Sequence, residues 1–280
     1  SRSDHRLVWR TKVSGLKADH AALSPDGSRF VVSATTADKT DVYDTRNGAL
    51  IGTFPTGNFP HQNDYSANGA HIYNASIGDV TMSHADRDRK GNRQLTKVDA
   101  KTLRVLRTYS FDAGIRPAVF TPDESTMYAQ LSYLHGVIKF DLRSGTISKT
   151  LELPLTEFAK KTYLTPDEYP HDSSHHGLAM SGDGQRLCDA DTIGNRIAIV
   201  RTDSMTLERS IDTGLVPYWS TTSVGGDHCI VSLSGDNQIS VINYVTGQEV
   251  KRVSVGLFPQ RTRLGRIPES VIALLNRNPG

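Results

Sequence analysis

A short pattern recurs along the chain and constrains its fold more than any other feature. LSPDGSRFVV begins at Leu23, YSANGAHIYN at Tyr65, FTPDESTMYA at Phe120, MSGDGQRLCD at Met180 and TSVGGDHCIV at Thr222. LGRIPESVIALL, from Leu264, is a weak sixth copy. Each copy has an apolar residue, a small polar residue, a Gly/Asp/Asn-rich turn and an alternating run. Asp and Asn side chains bond their own backbone in turns, and Gly accepts positive φ, so the tetrad predicts a tight hairpin. Two further elements follow each copy. DVYDTRNG (41–48), IKFDLRSG (138–145) and SVINYVTG (240–247) are strands running into turns, and ALIGTFPTG, TISKTLELP and QEVKRVSVG come after them. The unit therefore holds four short strands and returns about every 40–60 residues, a period that marks a repeat architecture.

Period-2 alternation broken by regular turns predicts an all-β fold. A four-stranded unit repeated radially is a β-propeller blade, and the fold class expected is a β-propeller of four-stranded antiparallel blades. The nearest helical pattern, Pro154–Tyr163, is short. The blades expected are 17–56, 57–112, 113–154, 170–214 and 215–255 in a single domain, 1–280. A sixth falls at 256–280, and LVWRTKVSG within 5–15 reads as an outer strand.

The order of a Pro-His pair, SPDG, a strand ending in a T-G turn and V-x-V-G resembles the YVTN-repeat (YncE-like) β-propellers. The resemblance covers nearly the whole chain, although the copies are degenerate. It implies a seven-bladed parent, against about six blades here: either the two ends of the chain complete one sixth blade, or, the preferred reading, the N-terminal blade is missing or incomplete. It also implies an exported, extracytoplasmic bacterial protein. No signal peptide is legible, and a processed N-terminus is compatible with that expectation.

The totals exclude several classes. Thirty-two basic residues nearly cancel 30 acidic ones, which gives no basic stripe for nucleic acid. No apolar run approaches the roughly 20 residues of a membrane helix. Two cysteines cannot make a disulfide-dense scaffold or a four-cysteine zinc site. Cys188 and Cys229 fall on second strands of neighbouring blades, where the splay between blades predicts buried free thiols. No GxSxG elbow and no P-loop is present.

In a propeller, each connector enters the innermost strand of the next blade at one mouth of the channel. Five positions before the first residue of each tetrad (Ser24 in SPDG, one after the start of the copy) stand Asp19, His61, Arg116, His176, Tyr218 and Gln260. One position later stand His20, Gln62, Pro117, Gly177, Trp219 and Arg261. The pair His175-His176 thus lies in a recurring slot. Neighbours on a strand point to opposite faces, so His175 and His176 do not both face the channel; the resemblance, through its Pro-His pair, implies that His176 is the one that does. His175 takes the place of Pro60, Pro217 and Pro259 and is expected to shape the connector. The candidate ligand-binding set is Asp19, His20, His61, Arg116, His176, Tyr218, Trp219, Gln260 and Arg261. The plain alternative is a mouth lined with polar groups that bind water and one another; Trp219 in particular could simply pack between blades.

Two insertions sharpen this placement. MSHADRDRKGNRQ (82–94) reads as a solvated excursion, while TEFAKKTYLTPDEYPHD (156–172), with Phe158, Tyr163, Leu164 and Tyr169, reads as a lid. Propeller topology puts both on the face carrying the row, and long loops in compact folds are often functional. The expected function is binding of a small-molecule or protein ligand on that face. The alternative is a hydrolase, lactonase or lyase with His61 or His176 as acid/base, Arg116 as anion clamp and Tyr218 as proton donor. A third reading is a docking platform. No cofactor is expected; a divalent metal would draw on His20, His61 and His176, which would need to meet within zinc-ligand reach.

Overall fold

The computed structural model describes residues 7–265. Their regular structure is dominated by five four-stranded antiparallel sheets, each wound in chain order. The first blade comprises Ala18–Leu23, Arg29–Ala34, Lys39–Asp44 and Leu50–Pro55 (β1–β4). The second comprises Pro60–Tyr65, His71–Ser76, Gln94–Asp99 and Val105–Ser110 (β5–β8). The third comprises Ile115–Phe120, Thr126–Leu131, Gly136–Asp141 and Thr146–Glu152 (β9–β12). The fourth comprises His175–Met180, Arg186–Asp191, Arg196–Arg201 and Thr206–Asp212 (β13–β16), and the fifth Pro217–Thr222, His228–Leu233, Gln238–Asn243 and Glu249–Ser254 (β17–β20). The weak sixth copy from Leu264 lies almost wholly outside the described residues.

The tetrads make the hairpins between first and second strands. Asp26 accepts from the Ser28 N–H at 3.0 Å, Asn68 from Ala70 at 2.9 Å and Asp183 from Gln185 at 3.0 Å. The residue that follows is left-handed, Gly27, Gly69 and Gly184 having φ near +72°. The third blade puts Glu124 there at φ 55°, a strained choice for a side chain. Its carboxylate accepts from Tyr73 Oη at 2.6 Å and lies 3.0 Å from Lys97 Nζ, so the departure ties the third blade to the second.

Inner strands pack in sequence, β1 on β5, β5 on β9, β9 on β13 and β13 on β17. The cores lie between blades, where one sheet face meets the next. Val31, Val42 and Phe54 meet Ile72 and Val98; Tyr73 and Leu95 meet Met127 and Phe140; Tyr128 and Val137 meet Leu187 and Val200. Burying each such side chain contributes roughly 1.5–3 kcal/mol, so every blade depends on its neighbours. The fourth and fifth blades are also joined covalently. Cys188 and Cys229 form a disulfide with Cα atoms 6.4 Å apart, which corrects the expectation of free thiols. At Cys188 on β14 and Cys229 on β18 the two blades come within bridging distance.

Residues 7–13 form no strand, contrary to the outer strand expected there. They nevertheless occupy the position of one. Trp9 Nε1 donates to Thr45 O at 2.7 Å, in the β3–β4 turn. Tyr109, on the fourth strand of the second blade, donates likewise to Leu142 O at 2.6 Å in the next blade, and Arg209 to Val245 O at 3.0 Å. A Cβ on the left-handed Gly48 would strike Trp9, as one on Gly145 would press on Tyr109 and one on Gly247 would strike Arg209.

Candidate functional site

The row counted back from the tetrads coincides with a backbone irregularity. In every described blade the register between first and second strands slips at that place. Pro60 pairs with Ser76 and Gln62 with Ala75, so His61 is the extra residue of a β-bulge. His176 and Tyr218 are bulged in the same way. The slip spans Asp19-His20 in the first blade and Arg116-Pro117 in the third. A bulge kinks its strand and re-aims the extra side chain.

Backbone anchors repeat as well. Ser33 Oγ donates to His61 O at 3.0 Å, and Ser232 donates to Gln260 O in the same manner. Thr35 and Thr192 donate to Pro60 O and Pro217 O. The left-handed Asp38, Asn195 and Asn237 accept the N–H of Phe59, Val216 and Phe258, just ahead of each proline. Short polar side chains tolerate that conformation, so each blade clamps the entrance of its successor.

These anchors bring most of the row together. The His20 and His61 rings lie 4.3 Å apart, and Trp219 lies 4.9 Å from His20. His176 stacks on Tyr218 at 4.6 Å. Arg261 donates to Asp19 at 2.8 Å, joining the end of the described chain to its beginning. Arg263 stands over Trp219 at 4.3 Å, with Nη2 3.3 Å from His20 Nδ1. Gln260 is exposed and is held through its carbonyl.

The mouth carries fixed positive charge and neutral imidazoles. Arg116 is 2 % exposed, and burial pushes its guanidinium down to about 10, so it stays charged at neutral pH. Burial, with Arg116 and Arg261 adding, pushes His61 well below its ordinary range; His20 is pushed down by burial, His61 and Arg261. Burial and then Arg116 take His176 to about 3. Burial raises Asp19 against the pull of Arg261, and raises the Tyr218 phenol. His20 Nε2 and His61 Nδ1 are buried without a hydrogen-bond partner.

Both insertions meet at Arg116, and the first is no mere solvated excursion. Lys90, 3 % exposed, donates to Asp172 at 2.7 Å. His84 Nδ1 lies 2.9 Å from the same carboxylate, and Arg116 Nη2 4.0 Å from it. Arg116 also donates to Ser132 Oγ at 3.0 Å and to the carbonyl of His171, while Arg87 pairs with Asp167. In the second insertion, Thr156 caps a helix, α1 (Glu157–Thr162), and Tyr169 and Ala159 pack on Ile193. Phe158 and Leu164, expected in the lid, are exposed.

Asp19, His20 and His61 each place one ligand atom within 4.8 Å of the others. Three arginines face them, and Arg263 reaches the second nitrogen of His20. His176 lies outside that group. At the opposite end of the channel is a cavity of about 380 Å³, lined among others by Gln62, Asp64, Phe120, Met180, Trp219 and Arg263; of the expected ligand-binding set only Trp219 lines it. His175 does not act as a connector cap. It is fully buried between the third and fourth blades, bonded to Asp189 and His135.

No family model and no curated protein matches the sequence. Solved structures do. Hydrazine synthase from Kuenenia stuttgartiensis aligns with TM-score 0.59 at 19% identity, over 79% of this chain and 70% of that one. A functionally unknown protein from Desulfotomaculum acetoxidans aligns with TM-score 0.67 at 14% identity, over 87% and 72%. At such identities the likeness concerns the fold, and with the five wound sheets it defines the chain as β-propeller-like. Among the described residues, no helix is long and apolar enough to cross a membrane.

Proposed function

We propose that this chain is a binding propeller whose histidine-bearing mouth takes a small anionic solute, a carboxylate or phosphate. One observation carries the reading: a bulge repeated in five blades turns Asp19, His61, Arg116, His176 and Tyr218 toward one mouth. Arg116 and Arg261 supply charge, and the unpartnered nitrogens of His20 and His61 supply directional hydrogen bonds. If Arg263 donates to His20 Nδ1, then His20 Nε2 carries a proton and is a donor, which suits an anion better than a metal ion.

The enzyme alternative keeps the same residues. It is weakened by His176, whose pKa of about 3 makes it a poor base at neutral pH. The YVTN kinship and an exported location belong to this proposal too. The Cys188–Cys229 bridge supports the location, because such bonds persist in oxidising compartments.

A thermal-shift screen of small carboxylates, phosphate and neutral analogues tests the reading. An anion at a hundred times its Kd stabilises by about 2.7 kcal/mol. Arg261→Gln and Tyr218→Phe should reduce that shift. Equal response to neutral analogues, or anion shifts unchanged in both variants, would reject it.

A further inference from the structure

Between the third and fourth blades lies a second polar cluster, built on different residues. His175 opens β13, Asp189 and Asp191 lie on β14, Arg196 opens β15, and His135 stands just before β11. His175, Asp189 and Asp191 are 0 % exposed, Arg196 5 % and His135 8 %. His175 Nδ1 lies 2.5 Å from Asp189 Oδ1, which also accepts from Gln130 at 2.8 Å. His175 Nε2 lies 3.0 Å from His135 Nδ1. His135 Nε2 faces Asp191 Oδ2 at 3.7 Å and has no hydrogen-bond partner. Asp189 Oδ2 and Gln130 Oε1 are unpartnered as well.

With both imidazoles neutral, the protons in this cluster leave one lone pair unmet. With Asp189 ionised, His175 Nδ1 carries the proton that reaches it, which leaves Nε2 a lone pair. His135 must then donate from Nδ1, and its own Nε2 becomes a bare lone pair aimed at a carboxylate oxygen. Asp191 is already held by Arg196 Nε at 2.8 Å and by the Gly194 N–H. With both imidazoles neutral, the two carboxylates and one guanidinium leave one net negative charge in a dry interior. Buried charge of that kind is met by a proton on His175 or by a metal ion, and the geometry of the three ligand atoms favours the ion.

The geometry points to a metal site formed by His135, His175 and Asp191 at the interface of the third and fourth blades, suited to a divalent transition ion of the zinc class. One ligand atom from each lies within 4.8 Å of the other two. Two imidazoles and a carboxylate are a donor set that zinc accepts. Asp189 then fixes the His175 tautomer and orientation from behind, as carboxylates commonly do for metal-bound histidines. Arg196 and the Gly194 N–H hold Asp191 in the same way. Because His176 directly follows His175, an ion here would also fix the strand start from which His176 turns to the mouth.

The test uses the full-length chain, unfolded with chelator and refolded with cobalt(II) or zinc(II). Wild type and His61→Gln, which alters the mouth, should each retain about one equivalent after desalting, and His135→Gln below about a tenth. The cobalt form should absorb in the visible as a low-symmetry nitrogen/oxygen site, and metal should raise the Tm of wild type and His61→Gln alike. If His135→Gln does not fold, those two proteins decide alone. Wild type retaining under about a tenth of an equivalent would assign the missing cation to a proton on the His175–His135 pair and overturn the proposal. Loss of metal in His61→Gln with retention in His135→Gln would overturn it too, by moving the ion to the mouth.

Discussion

His176 shows what the propeller does to a single side chain. As a free residue it would titrate near 6.5; buried against Tyr218 and facing Arg116, it is held at about 3. The folded pKa lies below the unfolded one, so the proton is refused by the folded state and taken by the unfolded chain. The cost is absent above pH 6.5, grows as pH falls below it, and levels off near 3. At pH 5 it amounts to about 2 kcal/mol for this group. His176→Gln removes it, so the stability of the variant relative to wild type should rise by about that amount between pH 7 and pH 5 in urea titrations. A difference independent of pH would show that His176 titrates normally. Taking the difference matters, because burial raises the Asp64 carboxyl to about 6, and its protonation offsets the histidines in part of the same window. Lys90 offers a second test at this scale. Lys90→Ala takes the nearest cation from Asp172, leaving it His84 and Arg116, and should cost about 1.5–3 kcal/mol, while Lys90→Ala with Asp172→Ala should recover part of it. Equal losses in the single and double variants would deny the pair its coupling.

At the scale of the element, the repeat explains what could be read in advance. The tetrads announce themselves because Asp, Asn and Gly are what a left-handed hairpin residue demands, and the row followed by counting back from them. The bulge at the row was hidden: it is a property of backbone pairing, and His61 looks the same in sequence with or without it. His135 was missed because it precedes a third strand and not a first. Lys90 was missed because a run such as DRDRKGNR reads as solvated, and only its partner Asp172, 82 residues away, buries it. The cysteine pair was misjudged by treating blades as uniformly splayed. That bridge, closing 41 residues, should contribute about 2–4 kcal/mol. Replacing both cysteines by Ser and unfolding in urea checks this, and no loss would show that inter-blade packing alone fixes the spacing. Residues 7–15 were expected as a strand and are instead a docked segment. Trp9→Ala should cost about 1–2 kcal/mol, being half-buried, with the loss read in the same titration. An unchanged midpoint would mean that the segment merely rests on the first blade.

For the whole molecule, the five sheets give convergence without any one of them forming a site. Asp19 and Arg261 come from opposite ends of the described chain and meet at 2.8 Å. The neutral histidines, the buried arginine and the two insertions joined at Asp172 then share one mouth. The central claim is that these residues act together on one anion. It is tested most directly by titrating histidine-labelled protein with phosphate and a panel of small carboxylates while following the imidazole nitrogens by NMR. The account predicts that, for at least one anion, signals of His20, His61 and His176 shift together with a single Kd, and that Arg261→Gln weakens all three alike. Signals that move with separate constants, or that stay fixed for every anion in the panel, would contradict it.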